Sequence, residues 1–222
     1  MPYTELTQRV ITGAPATPEE LSELLQAPAS QTFSIIDAAS SLRYRFFQAT
    51  ITTLESTASD DSVGLLDIAP DLTPEDMTTD IARFSGHTGT LIIDFPALEC
   101  HRPLPAMTAL RVIAATRFAA PRATIIVGEG RARTLNSLQA LALHTANGLV
   151  LSDRDEENGR ARLAETQMLS DGNFKVLGSE NTDLVAEQEE YMRAQGFEIP
   201  APAESTGGCG GSCGCGSGGC GA

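Results

Sequence analysis

Four thiols crowd the end of this chain. Cys209, Cys213, Cys215 and Cys220 are spaced C-x-x-x-C-x-C-x-x-x-x-C in little but glycine and serine. Four thiolates suit a tetrahedral zinc site or an iron–sulfur cluster, and glycine lets the backbone approach a metal closely. The spacing lacks the tight C-x-x-C pairs of well-defined zinc and ferredoxin sites. The stretch therefore also reads as a low-complexity extension whose thiols take up metal opportunistically. Elsewhere, "DFPALECHRP" gathers Asp94, Glu99, Cys100 and His101 after an apolar run. Cys100 and His101 there would ligate metal, alone or with the tail, or simply pack a loop. In "GEGRAR", Gly128 and Gly130 offer a phosphate-cradling turn, but G-x-G-x-x-G is incomplete and a plain tight turn is the favoured reading. His87 and His144 are given no role. No Ser-His-Asp order or paired-carboxylate arrangement stands out, so no catalytic residue is assigned.

The elements that must position these groups alternate between strand and helix. "ATPEELSELLQ" has Thr17 as a cap, Pro18 at the first helical position and Glu20 closing a capping box. "FSIIDAASSLRYRFF" spaces Phe33, Ile36, Leu42 and Phe46 as one apolar stripe, with Arg43 and Arg45 facing elsewhere. "QATITTLESTASDD" has β-branched residues but runs into a polar loop. From Ser62 the pattern is sharper, with strands expected at "SVGLLDIA", "TGTLIIDF", "ATIIVG" and "NGLVLS". The helices between them are "LTPEDMTTDIARFSG", which repeats the Thr-Pro-Glu-Asp start at Thr73, "PLPAMTALRVIAATRFA" and "RTLNSLQALALHTA". Near-continuous apolar strands in such alternation predict parallel βα units with helices covering the sheet. "DRDEENGRARLAETQMLSDGN" is mixed in charge and weakly periodic and reads as a solvated excursion, while "NTDLVAEQEEYMRAQGFEIP" reads as a last helix stopped by Gly196. The expected organisation is a helical region over 1–61, a partial βα barrel over 62–200 and a Gly/Ser/Cys-rich tail over 201–222.

Composition narrows the function classes. Lys+Arg 15 against Asp+Glu 29 gives a formal charge of -14, which leaves no basic surface to follow a phosphate backbone, so nucleic acid is not an expected partner. No window approaches the roughly 20 apolar residues of a membrane span, and the first residues lack the pattern of an export signal. A soluble, cytoplasmic protein is expected. Thiols stay reduced in that compartment, which favours metal or redox roles for clustered cysteines over disulfides.

On these residues the chain resembles the biotin synthase branch of the radical SAM enzymes, in two blocks. "TPEELSELLQAP" and "IIDAASSLRYRFF" look like that family's opening helices. "VGLLDIAPDLTPEDMTTDIARF", "IIDFPALE", "LPAMTALRVIAATRFAAPRATIIVGEGRARTLNSLQALALHTANGLVL" and "DLVAEQEEYMRAQGFEIP" follow, in order, its closing barrel units and its biotin-and-thiamine-synthesis-associated region. The resemblance implies a TIM-type barrel and iron–sulfur chemistry. Its cluster loop, C-x-x-x-C-x-x-C, is missing, since only 14 residues separate Phe47 from Ser62 where the family has its first half barrel. The family arginine near the second cluster falls on Ile126, whereas Arg131 matches a loop arginine. S-adenosylmethionine is accordingly not expected as a cofactor.

The resemblance with these departures implies a non-catalytic, iron–sulfur-binding accessory of sulfur-insertion chemistry, with the tail cysteines holding or delivering a cluster, zinc being the other candidate metal. The second reading is an enzyme, a sulfurtransferase of the biotin synthase type, that uses the tail cluster or borrows a partner's half barrel. Four parallel strands that do not close leave two unpaired edges and an apolar face. Cover is expected from the N-terminal helices, from a homodimer, or from docking onto a complete biotin synthase or a sulfur or iron–sulfur delivery protein.

Overall fold

The computed structural model of the chain describes residues 3–48, 50–55, 63–98, 101–154 and 159–199. Three helices come first, α1 (Tyr3–Ile11), α2 (Pro18–Gln26) and α3 (Thr32–Phe46), and the strand β1 (Thr50–Leu54) follows. The βα series runs β2 (Gly64–Asp67), α4 (Pro74–Ala82), β3 (Thr90–Asp94), α5 (Ala106–Ala119), β4 (Thr124–Val127), α6 (Arg131–Leu135), α7 (Gln139–Ala142) and β5 (Gly148–Val150). It closes with α8 (Gly159–Asp171), β6 (Lys175–Val176) and α9 (Leu184–Ala194).

Local chemistry sets the helix starts. The Thr17 hydroxyl accepts from the Glu20 N–H and the Glu20 carboxylate accepts from the Thr17 N–H at 2.9 Å, with Pro18 in the first turn. Thr73 and Asp76 repeat the box at the start of α4, both bonds at 3.2 Å. Each cap satisfies amide groups the first turn leaves without partners and holds the helix by about 1 kcal/mol. Asp183 caps α9, and Gly196 ends it at φ +87.

All six strands are parallel, in the order β2-β3-β4-β5-β1-β6. The four strands expected from the sequence lie side by side in chain order. β1 pairs with β5, setting Thr53 opposite Leu149, and with β6 on its other side, so it stands out of chain order between the fifth and sixth strands. The fold is α/β, an array of parallel βα units in partial-barrel order. Leu66, Leu91, Ile93, Ile125 and Val127 point into the main core, where α4, α5 and all three N-terminal helices also bury side chains. On the opposite face Ile92, Ile126 and Val150 form a smaller buried cluster with Leu54 and Val63 against it. Strands buried on both faces read as continuous apolar runs, which is why β3 and β4 were plain in the sequence.

Three local expectations are corrected. On α3 the buried face is Ile35, Ile36, Ala39, Leu42 and Arg43, and Phe33 is 57% exposed. Arg43 turns inward because Ala146 and Thr50 present carbonyls that its guanidinium fills at 2.7 and 2.9 Å. The single helix expected over "RTLNSLQALALHTA" is broken at Asn136, which sits at φ 49, ψ -123 with its side-chain amide donating to the Arg133 carbonyl. The charged stretch after β5 is not a solvated excursion over 159–171 but the helix α8.

Candidate functional site

The carboxyl ends of β1, β3, β4 and β5, with α8, build one connected polar network. Its centre is Arg131, 1% exposed at the start of α6. One terminal nitrogen donates to the Gly128 carbonyl at 2.9 Å and the other to Glu165 Oε1 at 2.5 Å. Glu165 also accepts from the Ser152 N–H and the Ser152 hydroxyl, each at 2.8 Å. Arg162, one helical turn before Glu165, grips Glu55 through both terminal nitrogens at 2.7 and 2.8 Å and donates to the Ser152 carbonyl. The ends of β1, β4 and β5 are thus joined by two arginine–carboxylate pairs through Ser152.

The electrostatics follow from this geometry. Burial pushes the Arg131 guanidinium below its ordinary value, against the opposing pull of Glu165, Glu129 and Asp94. Hydrogen bonds from Arg162 hold the Glu55 carboxyl below the usual range. Asp67 is raised, first by desolvation and then by Asp94, its partner in register on β3. Each oxygen of Glu165 and Glu55 accepts from at least one donor, so the network ties strand ends and loops together.

The turn "GEGRAR" holds a carboxylate of its own chain. Asp94 Oδ1 accepts from the Gly130 N–H at 3.0 Å, and a Cβ on Gly128 would lie 2.3 Å from that oxygen. A Cβ on Gly130 would lie 2.3 Å from the Phe95 carbonyl oxygen. Both glycines are explained by the close approach of β3 to this turn. Ile126 is wholly buried beside Ile92 and Val150, an apolar packing position. His87 lies edge-on to Phe84, and His144 to Phe174.

Cys209, Cys213, Cys215, Cys220, Cys100 and Glu99 lie outside the described residues, and of the expected metal ligands only His101 falls within them, in the exposed β3–α5 loop. Among the described residues no group of three or more His, Cys, Asp or Glu side chains could hold a metal ion. Glu55, Ser152, Arg162 and Glu165 were missed in the sequence. The signal for α8 was there in its strong helix formers, "ARLAETQML", with Arg162 and Glu165 three apart.

Residues 81–198, more than half of the chain, match the Biotin and Thiamin Synthesis associated domain. The chain belongs to this family. Within the family it is similar to the biotin synthases of Nocardioides sp. (40% identical over 77 residues, 35% of this chain and 21% of that one) and Streptomyces avermitilis (36% over 110 residues, 49% and 24%). The biotin synthase of Kocuria rhizophila is 41% identical over 70 residues, 32% of this chain and 15% of that one. The matched segments therefore span about a quarter or less of each relative's length. The family segment opens within α4 and contains α5, the Gly128–Arg131 turn and all of α8 and α9, so it carries most of the polar network; Glu55 is supplied from outside it. No helix among the described residues is long and apolar enough to cross a membrane.

Proposed function

We propose that this chain is a non-catalytic, iron–sulfur-binding accessory of biotin-synthase-like sulfur insertion, with Cys209, Cys213, Cys215 and Cys220 holding or delivering the cluster. The observation that carries the reading is the pairing of a biotin-synthase-like scaffold with a four-thiol tail. Four thiolates fit the donor set of an iron–sulfur cluster, which would supply sulfide, iron or electrons to a partner. The described scaffold contains no alternative ligand group.

Where the tail begins supports the same reading. Glu198 and Ile199 line a cleft with Arg160 and Leu163 in the first turns of α8, and Met192 lies beside Gly159. That turn is next to Ser152, at the carboxyl end of the sheet, where α/β proteins place their sites. Cys209 lies ten positions beyond Ile199, and a chain of that length reaches at most about 35 Å. A cluster on the tail would be tethered within range of the network and of a protein docked on that end. The partner in this reading is a complete biotin synthase or a protein delivering sulfur to it.

Anaerobic reconstitution with iron and sulfide tests the proposal on the full chain and on one ending at Thr206. The full chain should gain a visible iron–sulfur chromophore that the shorter one lacks, and Cys→Ser changes at the four positions should abolish it. A colourless, metal-free full chain would remove the proposed function. Reductive cleavage of S-adenosylmethionine by the reconstituted chain alone would replace it with the enzyme reading.

A further inference from the structure

The two edges of the sheet are built differently. β6 is two residues long, carries the chain's only lysine, Lys175, exposed, and the chain turns off the sheet at Gly178, φ +82. A short edge with a lysine is guarded against further strand pairing. β2 has four residues, Gly64–Asp67, with no lysine, proline or bulge, and Leu65 at its centre is 52% exposed.

The backbone of β2 shows which groups are open. Ile68 donates its N–H inward to the Asp94 carbonyl at 2.9 Å. Alternate residues of a strand aim their backbone groups to opposite sides, so the N–H and C=O of Leu65 and Asp67 face away from β3. No strand among the described residues pairs with them.

Charge selects the occupant. From Gly64 to Ala82 the chain carries Asp67, Asp71, Glu75, Asp76 and Asp80 and not one Lys or Arg; only Asp80 has an ion-pair partner among the described residues, Arg83. Asp94 adds its charge beside Asp67. A second copy would set acidic edge against acidic edge, whereas a basic strand would be drawn to it. We infer that the β2 edge accepts an extended, lysine- or arginine-bearing segment of a partner protein as a seventh strand, bonded to the outward groups of Leu65 and Asp67, with an apolar side chain on Leu65 and a cation at Asp67. This stands on the sheet edge alone and is independent of the tail's metal.

The test uses the full chain and a synthetic peptide of alternating valine and threonine with a lysine at each end, against the same peptide with glutamates. Fluorescence anisotropy should show the lysine peptide binding at least about tenfold more tightly, with affinity falling as salt rises from about 50 to about 300 mM. Hydrogen exchange at the Leu65 and Asp67 amides should slow on binding, while that at Leu66 stays as it was. Leu65→Pro removes an outward N–H and the exposed leucine side chain without touching a bond to β3, and Leu65→Lys copies the guard on β6; both should abolish binding, and a circular-dichroism melt identifies a variant that has lost its fold. Equal binding of both peptides, or no protection at Leu65 and Asp67, would overturn the inference. So would sedimentation of the free chain as a dimer that Leu65→Lys dissociates, which would give the edge to a second copy.

Discussion

The two ends of the sheet bury arginines in opposite ways. At the amino end, Arg43 and Arg117, both 0% exposed, have no carboxylate partner among the described residues. Arg117 donates to the carbonyls of Thr145, Ala123 and Pro121 and to the Asn147 side chain, under the Phe47 ring; Arg43 serves Ala146 and Thr50. Desolvation, with Arg43 nearby, lowers Arg117 to about 9. At the carboxyl end, Arg131 and Arg162 meet the carboxylates of Glu165 and Glu55. The amino-end guanidiniums stand in for the missing bonds of loop carbonyls, so they act as staples with no acid-labile component. The carboxyl-end pairs depend on ionised carboxylates, and that end answers to pH and to charged visitors.

The largest effect is expected at the amino end. Arg117→Ala strands several buried acceptors and the Asn147 side chain together, and should cost about 4 kcal/mol in urea unfolding; a loss under 1 kcal/mol would erase the contrast between the ends. Glu165→Ala should cost about 3 kcal/mol by leaving the buried Arg131 charge unpaired, and the double change Arg131→Met with Glu165→Leu should recover most of it. A double mutant no better than the single would show that the cost of losing Glu165 lies in its Ser152 hydrogen bonds rather than in the unpaired Arg131 charge.

Smaller effects carry the pH test. Because the folded-state pKa of Glu55 is depressed, its pairing with Arg162 contributes stability above the unfolded value of about 4.3 and loses it as pH falls through the lower folded value. Glu55 is largely exposed, so Glu55→Gln should cost about 0.5 kcal/mol at neutral pH and nothing at about pH 2. Asp67 has the reverse sign, since its folded pKa is raised. Asp67→Asn should stabilise the chain by at most about 0.3 kcal/mol at neutral pH, and the gain should vanish below the unfolded carboxyl value. Thermal melts of the two variants across pH 2–7 should therefore diverge from the parent in opposite directions.

What the sequence displayed were features whose cause is local. The Thr17 and Thr73 boxes need only residues three apart, and β2 to β5 need only unbroken apolar runs. β1 leaves a weak mark in the sequence because "TITTL" buries a single side chain, Ile51, and takes its strand character from β5 and β6 on either side. Charge on a helix normally faces water, which predicts an outward Arg43; only the Ala146 and Thr50 carbonyls, brought up by the tertiary fold, reverse that. The network was hidden for the same reason, since Glu55 and Arg162 lie 107 residues apart in the chain. The family segment, by contrast, was visible as a resemblance from β2 onward, and the match over 81–198 establishes it.

The insertion of β1 between β5 and β6 has a consequence for how the molecule is made. During synthesis the first strand leaves the ribosome long before either neighbour exists, and it must wait as a solitary extended segment while β2, β3 and β4 assemble without it. Closing that distant pairing late makes assembly slow and leaves the nascent chain prone to capture by other proteins' strands until translation has passed Val176.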